Sequence, residues 1–571
     1  MQSITNEELR LRVRELEKEV EKLQSKIKKQ KYGLVWLDVK EGFEKASENS
    51  IPILEEIKDK AVINHDGKPT HIIIEGDNYH ALTCLNYTHR GKIDVIYIDP
   101  PYNTGREFSY KDARFLKEFP DGTPVPPNHP YRHSYWLSFM GKRLELAKNL
   151  LSDKGVLLIS IDDNEYANLK LLCDKIFIEK NCLCTFFRKT KSMTGDDGNG
   201  LNIQHDYILA FAKSKDNFMF SGEEKNFSAY KNPDNDKNGS WCPADPSAKS
   251  GGPSTYFPIK NPYTNLEDYP PKGRFWAFSK DTLKENIESG RVKFKSEYST
   301  KERGFIFKRY KDKLKTQHNA VGSLTFVDNI YMNQVATTEL NTIMGNNVFP
   351  YPKPTIFLQK LLKYSSNANS VILDFFAGSG TTMHATMKLN DDDGGHRQCI
   401  LVQKNEGDNH ICEDITYERN RRVMQGYTND KGEAVKGLGN SLKYYRTAFV
   451  GKHLPKEATD TDKVILSQKA GCLLALGENT LDEIERTDFY QLFTDGNQLT
   501  CIYFQEDISK LDEFIDKIRS VVKTKHISKS VIYIFSWNTG EEFSSLFEDI
   551  KGTDIKPIPQ PIIEIYKSIN Q

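Results

Sequence analysis

An α/β fold built on a largely parallel sheet is predicted for most of this chain, on three observations. Apolar runs of strand length at 71–75, 93–98, 156–161, 207–212, 371–374 and 398–402 alternate with helix-length patterns at 143–151, 165–177, 355–364 and from Ser379 onward. The strand at 93–98 runs directly into Asp99-Pro100-Pro101-Tyr102, and the strand at 371–374 into the small-residue turn Phe375-Phe376-Ala377-Gly378-Ser379-Gly380. Both turns sit beyond a strand's carboxyl end, where open α/β sheets place their ligands.

In chain order, the first element is a helix. Leu9, Val13, Leu16, Val20, Leu23 and Ile27 alternate steps of four and three, the apolar seam of a coiled coil. The seam can pair with a second copy or pack on the chain's own body; pairing, hence a homodimer, is the expectation. The alternation of strands and helices begins at Lys68, and its last strand in this stretch ends at Ala212. Between 213 and 345 strict periodicity is lost and Gly, Pro, Asn, Ser and Asp become dense, which predicts an inserted domain. The alternation resumes over 346–451, and 452–571 carries helix and strand patterns of its own without recognisable chemistry.

Composition bounds the function. The 571 residues, 38% hydrophobic, suffice for a large core and several domains. No uninterrupted apolar run approaches the roughly 20 residues needed to span a bilayer, and the first residues are charged, so a soluble, cytoplasmic protein with no membrane partner is expected. Nine scattered cysteines fit neither a disulfide framework nor a structural zinc site. Basic and acidic residues both total 79, so net charge carries no nucleic-acid signal. Locally it differs. Arg291, Lys293, Lys295, Lys301, Arg303, Lys308, Arg309, Lys311, Lys313 and Lys315 are interleaved with Phe294, Tyr298, Phe305, Phe307 and Tyr310. That pattern suits a phosphate-facing surface, and equally a solvated strand-and-loop surface.

The proline-rich turn has a specific chemical use. An aromatic exocyclic amine is a poor nucleophile because its lone pair is delocalised into the ring, and an enzyme that alkylates it must set acceptors against its two hydrogens. Asp99 supplies one, and the Pro100 carbonyl, held by consecutive prolines, supplies a second. Tyr102 offers a ring on which an extruded base can stack. Alone, the tetrapeptide fits a rigid turn just as well. The glycine turn likewise fits a plain helix cap at Ser379. It is neither a dinucleotide fingerprint, which needs a further spaced Gly, nor a P-loop, since no Gly-Lys-Ser/Thr follows.

Taken together, the ordered motifs resemble those of amino DNA methyltransferases of the permuted β order, over residues 32–450. Besides the two turns, the resemblance rests on Glu75-Gly76-Asp77-Asn78, Trp136-Leu137-Ser138-Phe139-Met140, Ile159-Ser160-Ile161-Asp162-Asp163-Asn164-Glu165, Phe349-Pro350-Tyr351-Pro352-Lys353-Pro354 and Gly437-Leu438-Gly439-Asn440. It is strongest to the modification subunit of type III restriction-modification systems. The resemblance implies a Rossmann-like S-adenosylmethionine-dependent fold with circularly permuted motif order. Its catalytic half would be 32–212, its target-recognition domain 213–345 and its cofactor-binding half 346–451. It implies methylation of adenine N6 in double-stranded DNA with base flipping, and a separate helicase-nuclease restriction subunit as partner. Cytosine N4 remains open, as does a non-catalytic recognition subunit. Carbon-5 methylation is not implied, because no Pro-Cys dipeptide occurs.

Carried over by position, Asp99, Pro100, Pro101 and Tyr102 are the catalytic set. Asp374, Phe376, Ala377, Gly378, Gly380 and Thr381 would floor the methionine side of the cofactor pocket, with Lys353, Pro354 and Thr355 beside it. Asp77 would accept from the cofactor's adenine amine. The acidic residue that commonly holds the ribose hydroxyls is replaced by Gln403, with Glu406 three residues on. Phe186 and Phe187 lie near the position where related enzymes place a second aromatic against the flipped base, Phe187 being taken for that role and core packing being expected for at least one of the pair, while Lys293, Lys295, Arg303, Lys308 and Arg309 would bind DNA. His133 and Trp136 would belong to the stretch that closes over DNA or to the core. Asp162, Asp163 and Glu165 do not read as a metal cluster, because Asp163 or Asn164 is expected to cap the helix that begins near Glu165; no metal is expected.

Overall fold

The computed structural model describes residues 49–104, 129–192, 200–299, 301–345, 348–406, 408–550 and 552–569, together with Leu16, Val20, Leu34 and Trp36. Most of the predicted N-terminal seam, including Leu9, Val13, Leu23 and Ile27, therefore lies outside the described residues. The chain divides into two compact units, residues 1–220 with 322–571, and Ser221–Val321.

The larger unit is organised by a nine-stranded sheet. Its strands in chain order are β1 (Ile51–Glu56), β2 (Thr70–Glu75), β3 (Ile93–Ile98), β4 (Leu151–Ile161), β5 (Cys182–Lys189), β6 (His205–Ala212), β7 (Val371–Asp374), β8 (Gln398–Gln403) and β9 (Ser441–Val450). They lie side by side as β1-β9-β2-β8-β7-β3-β4-β6-β5. The six strands from β9 to β4 are mutually parallel; β1 and β6 run antiparallel to their neighbours. Parallel strands are covered by helices on both faces, so their sequences must be apolar throughout. Ile72–Ile74, Val95–Ile96, Ile372–Leu373 and Ile400–Val402 are all fully buried.

This order sets the site. Strand β7, from the second half of the chain, inserts beside β3 from the first half with Ile372 opposite Val95 and Leu373 opposite Ile96. The turns after β3 and β7 therefore emerge side by side at the carboxyl edge, joined by those after β2 and β8. Helices Asn78–Thr88, Thr355–Ser365 and Thr381–Asp393 cover the sheet. The helix expected at 143–151 is longer, Tyr131–Leu150. The one expected at 165–177 is α-helical over Tyr166–Cys173 and continues as a π turn over Asp174–Ile178.

A second sheet of five strands, in simple sequential order, occupies the C-terminal segment: Asp482–Arg486, Tyr490–Thr494, Gln498–Tyr503, Lys529–Phe535 and Thr553–Ile558. Among the described residues no helix is long and apolar enough to cross a membrane.

The Ser221–Val321 unit falls inside the 213–345 span expected for the insertion. It is built from short strands, one helix at Lys280–Glu288, and a small core of Phe257, Ile259, Trp276, Phe278, Val292 and Phe305. In the strand Phe305–Tyr310, successive side chains point to opposite faces, which sets Lys308 and Arg309 on opposite sides. Arg309 points out, whereas Lys308 is 3% exposed. Lys308 Nζ lies 2.7 Å from Asp234 and 2.5 Å from Asp236. The expectation that Lys308 faces phosphate is corrected: its charge is spent inside the unit. Lys293 also pairs with Asp234 at 2.8 Å, Lys295 with Glu302 at 2.9 Å, and Arg303 with Asp245 at 3.7 Å.

Candidate active site

A cavity of about 610 Å³ opens at the carboxyl edge of the nine-stranded sheet. It is bordered by Asp99–Tyr102 after β3, Phe375–Ser379 after β7, Gly76–Asn78 after β2 and Gln403 to Glu406 after β8, with Phe349–Lys353 across from them. The proline turn and the glycine turn, which come from opposite halves of the chain, thus share one cavity.

The proline turn is fixed from several sides. Trp136 Nε1 donates to the Pro101 carbonyl at 2.7 Å, so the indole is both buried and structural. No described group donates to the Pro100 carbonyl, which remains an available acceptor. Tyr102 donates its hydroxyl to Asp99 Oδ1 at 2.8 Å. Burial, with Asp206 and Asp99 nearby, pushes the Tyr102 phenol well above its usual range, so it stays a donor. Lys353 Nζ donates to Asp99 Oδ2 at 2.5 Å and to the Tyr102 oxygen at 3.2 Å.

Asn103 follows in a left-handed conformation, φ 55°, which Asn tolerates better than most residues. Its amide donates to Glu165 Oε1 at 2.6 Å. Glu165 is fully buried and also engages His133 Nδ1 at 2.6 Å and Asn168 at 2.8 Å. The expectation that Asp163 or Asn164 caps the helix is corrected accordingly: the N-cap position falls to Glu165. Asp162 accepts from Asn164 inside a turn, Asp163 accepts from Tyr207, and Glu165 at the N-cap position makes no capping bond.

At the glycine turn, Asp374 accepts from the Phe376 amide at 3.0 Å and from the Thr382 hydroxyl at 2.6 Å. Burial pushes its carboxyl up to about 7. Gly378 has φ 52° and Gly380 φ 73°. A Cβ on Gly380 would collide with Asn420 Nδ2 and meet the Thr416 carbonyl at 3.0 Å. Gly380 is therefore a packing residue against the 411–425 helical segment, outside the cavity lining, and Pro354 is the N-cap of Thr355–Ser365, likewise outside it. Gln403 Oε1 accepts from the Gly378 amide at 2.8 Å and its Nε2 donates to the Lys404 carbonyl at 3.1 Å. Both ends of its amide are thereby engaged within the protein. Glu406 is the acidic group lining this end.

Asp77 caps Asn78–Thr88 by accepting from the Tyr79 amide at 2.9 Å, and also receives Arg143 Nη2 at 3.2 Å. Phe139 and Phe376 of the glycine turn, with ring centroids 6.0 Å apart, both line the cavity. On the β4–β6–β5 side of Asp99 the lining contains Asp162, Asn164, Arg188, Asp206 and Asn333. Arg188 is 1% exposed and pairs with Asp206 at 2.5 Å. Phe187 is half-buried against His205 and Tyr207 and does not line the cavity; Phe186 is in the core.

Sequence reasoning missed Phe139, Arg188, Asp206 and the pairing of Lys353 with Asp99. Two of these carried a signal: Phe139 lies in a quoted motif, and Arg188 directly follows the paired phenylalanines.

A family model described as "DNA methylase" matches residues 93–425. The chain is 33% identical over 435 residues to the Mod subunit of the type III restriction-modification enzyme StyLTI from Salmonella typhimurium, an alignment covering 71% of this chain and 64% of that protein. It is 31% identical over 385 residues to the type II methyltransferase M.KpnI of Klebsiella pneumoniae, covering 62% of this chain and 84% of that one. A putative DNA modification methylase of Thermus thermophilus, solved with S-adenosyl-L-methionine, covers 66% of this chain and 99% of its own at 14% identity and a TM-score of 0.31. On the extent of the family match and the coverage of the Klebsiella enzyme, this chain belongs to the DNA methylase family.

Proposed function

We propose that the protein is a site-specific DNA methyltransferase that transfers a methyl group from S-adenosylmethionine to adenine N6 in duplex DNA. The observation that carries this reading is the shared cavity: an oriented carboxylate and an available proline carbonyl stand beside a glycine-lined turn.

The lining suits the cofactor by its chemistry. S-adenosylmethionine carries a sulfonium, an ammonium, ribose hydroxyls and an adenine ring. Asp77, Asp374 and Glu406 offer carboxylates, Phe139 and Phe376 offer rings, and the positive φ at Gly378 brings backbone close without a side chain. When bound, the cofactor supplies an electrophilic methyl group on sulfur. Asp99 and the Pro100 carbonyl each accept one hydrogen of an extruded base's amine, which localises the nitrogen lone pair. Tyr102 provides the stacking face. Asp99 then takes the proton that the methylated nitrogen sheds.

The Ser221–Val321 unit is proposed as the target-recognition domain, with Lys293, Lys295, Arg303 and Arg309 facing DNA. The Salmonella relative's name supports a further reading, that the chain is the modification subunit of a restriction-modification system and pairs with a restriction subunit; the alignment spans 64% of that relative. The 1–31 seam supports a homodimer.

Methylation-sensitive sequencing of DNA from cells expressing this chain alone reports base, position and context together. N6-methyladenine within one short sequence is expected. N4-methylcytosine would move the same site to cytosine, and unmodified DNA would remove the proposal.

A further inference from the structure

We propose that Lys353 is a positioning residue for the transfer step, holding Asp99 as an oriented carboxylate, and that it is not a ligand of the cofactor. This rests on the methyltransferase reading above and adds a role for a side chain that the family resemblance places beside the cofactor's methionine end.

The contacts form a closed ring. Lys353 Nζ donates to Asp99 Oδ2 and to the Tyr102 oxygen, and the Tyr102 hydroxyl donates to Asp99 Oδ1. The ammonium also stands 5.2 Å from the Tyr102 ring centroid. The backbone that presents Lys353 is stiff, because Pro352 and Pro354 flank it and Pro354 opens the helix Thr355–Ser365.

An ionised carboxylate has about four acceptor sites. The ring occupies one on each Asp99 oxygen and leaves one on each. The target amine needs a single site there, since the Pro100 carbonyl takes the other hydrogen. Lys353 and the base can therefore be bound to Asp99 together. The terminal torsion of Asp is broad, so a carboxylate without these two donors would sample orientations that face its remaining lone pairs away from the cavity. Lys353 also supplies the opposing charge locally. Asp374 and Asp206 are the other acidic groups near Asp99 and Tyr102, and Arg188, the other buried cation of the described lining, is committed to Asp206. A carboxyl that took up a proton would lose acceptor capacity.

A cofactor ligand and a positioning residue fail differently when removed. The test uses the full chain, unmethylated genomic DNA and radiolabelled S-adenosylmethionine. The rate is measured at saturating DNA and cofactor, and the cofactor Kd separately by calorimetry. Lys353→Met is expected to lower kcat by roughly 10- to 100-fold, the scale of an ångström-sized misplacement. Cofactor Kd should stay within about threefold, and Lys353→Arg, which keeps the charge, should be several-fold faster than Lys353→Met. A cofactor Kd weakened tenfold or more with wild-type kcat at saturation would overturn the proposal and make Lys353 a cofactor ligand, as would an unchanged kcat with unchanged Kd. If Lys353→Met does not fold, Lys353→Arg decides alone: a reduced kcat at unchanged Kd supports positioning, and a weakened Kd at wild-type kcat overturns it. A wild-type chain that transfers no methyl group would sink the methyltransferase reading itself, a result distinct from any pattern among the variants.

Discussion

Asn103 Nδ2 lies 2.6 Å from Glu165 Oε1, a bond spanning 62 residues that ties the end of the proline turn to a fully buried carboxylate. Because Glu165 also holds His133 and Asn168, three polar side chains depend on one acceptor. Glu165→Ala leaves them without it. None of the three donors is fully buried, and Asn103 keeps a longer bond to the Arg132 carbonyl, so urea unfolding should report a loss of about 1 kcal/mol, the low end for a donor that loses its partner. Glu165→Gln, which keeps one acceptor oxygen, should lose less. Methyl transfer should fall more than tenfold in Glu165→Ala, because Asn103 no longer fixes the turn that carries Asp99. Wild-type transfer with a lowered stability would restrict Glu165 to a structural role.

Asp99 itself is expected to matter for chemistry and little for affinity. Most DNA affinity comes from phosphate contacts, whereas Asp99 would meet one amine. Asp99→Ala should therefore abolish transfer while gel-shift binding to the same DNA stays within a few fold. Retained methylation would place the catalytic centre elsewhere.

The alternation along Phe305–Tyr310 separates two neighbouring cations. Arg309→Ala should weaken DNA binding across sequences and reduce the slope of log affinity against log salt by about one. Lys308→Met should leave that slope alone and destabilise the unit, because Asp234 and Asp236 lose their shared cation. Bonds from Lys293 and Lys308 hold the Asp234 carboxyl, and a bond from Lys308 the Asp236 carboxyl, well below the usual carboxylate range. For depressed carboxyls the stabilisation is complete above the unfolded value of about 3.9 and is lost as pH falls toward the folded value. The gap in Tm between wild type and Lys308→Met should accordingly narrow as pH drops from 6 to 3. A gap that does not change with pH would show that the aspartates are not its source.

What could be read from the sequence was local. Asp99–Tyr102 and Phe375–Gly380 each follow a strand within a few residues, and the alternation of strands and helices dictates which sheet edge they reach. Long-range pairings were not legible. Lys353 meets Asp99 across 254 residues, and nothing in Pro-Lys-Pro says which carboxylate its side chain will find. Asp163 and Asn164 are residue types that cap helices, yet the N-cap position falls to Glu165, whose buried carboxylate is held by Asn103. Lys308 carries the same charge signal along the chain as its neighbours, and only the fold shows which face of the strand each residue takes. Gly380 was assigned to the ligand, although the atoms nearest to a Cβ there belong to Asn420 and Thr416.

Asp374 provides a test that joins pH to cofactor binding. Burial is the main cause that raises its carboxyl to about 7, with Asp99 adding to the rise, while the Thr382 and Phe376 bonds and Lys353 oppose it. A raised carboxyl holds a proton in the folded state that the unfolded chain has already released. It therefore destabilises the ligand-free protein progressively as pH climbs from about 4 to about 7. A cation arriving nearby favours the ionised form, and S-adenosylmethionine carries two cationic centres. Binding near pH 7 should then release a fraction of a proton, and affinity should rise with pH through that value. Calorimetric titrations in two buffers of different ionisation enthalpy measure the release directly. Asp374→Asn should bind more weakly at pH 8, show no such release and flatten the pH dependence. Equal apparent enthalpies in the two buffers for the wild-type chain would mean that Asp374 does not change its protonation when the cavity fills.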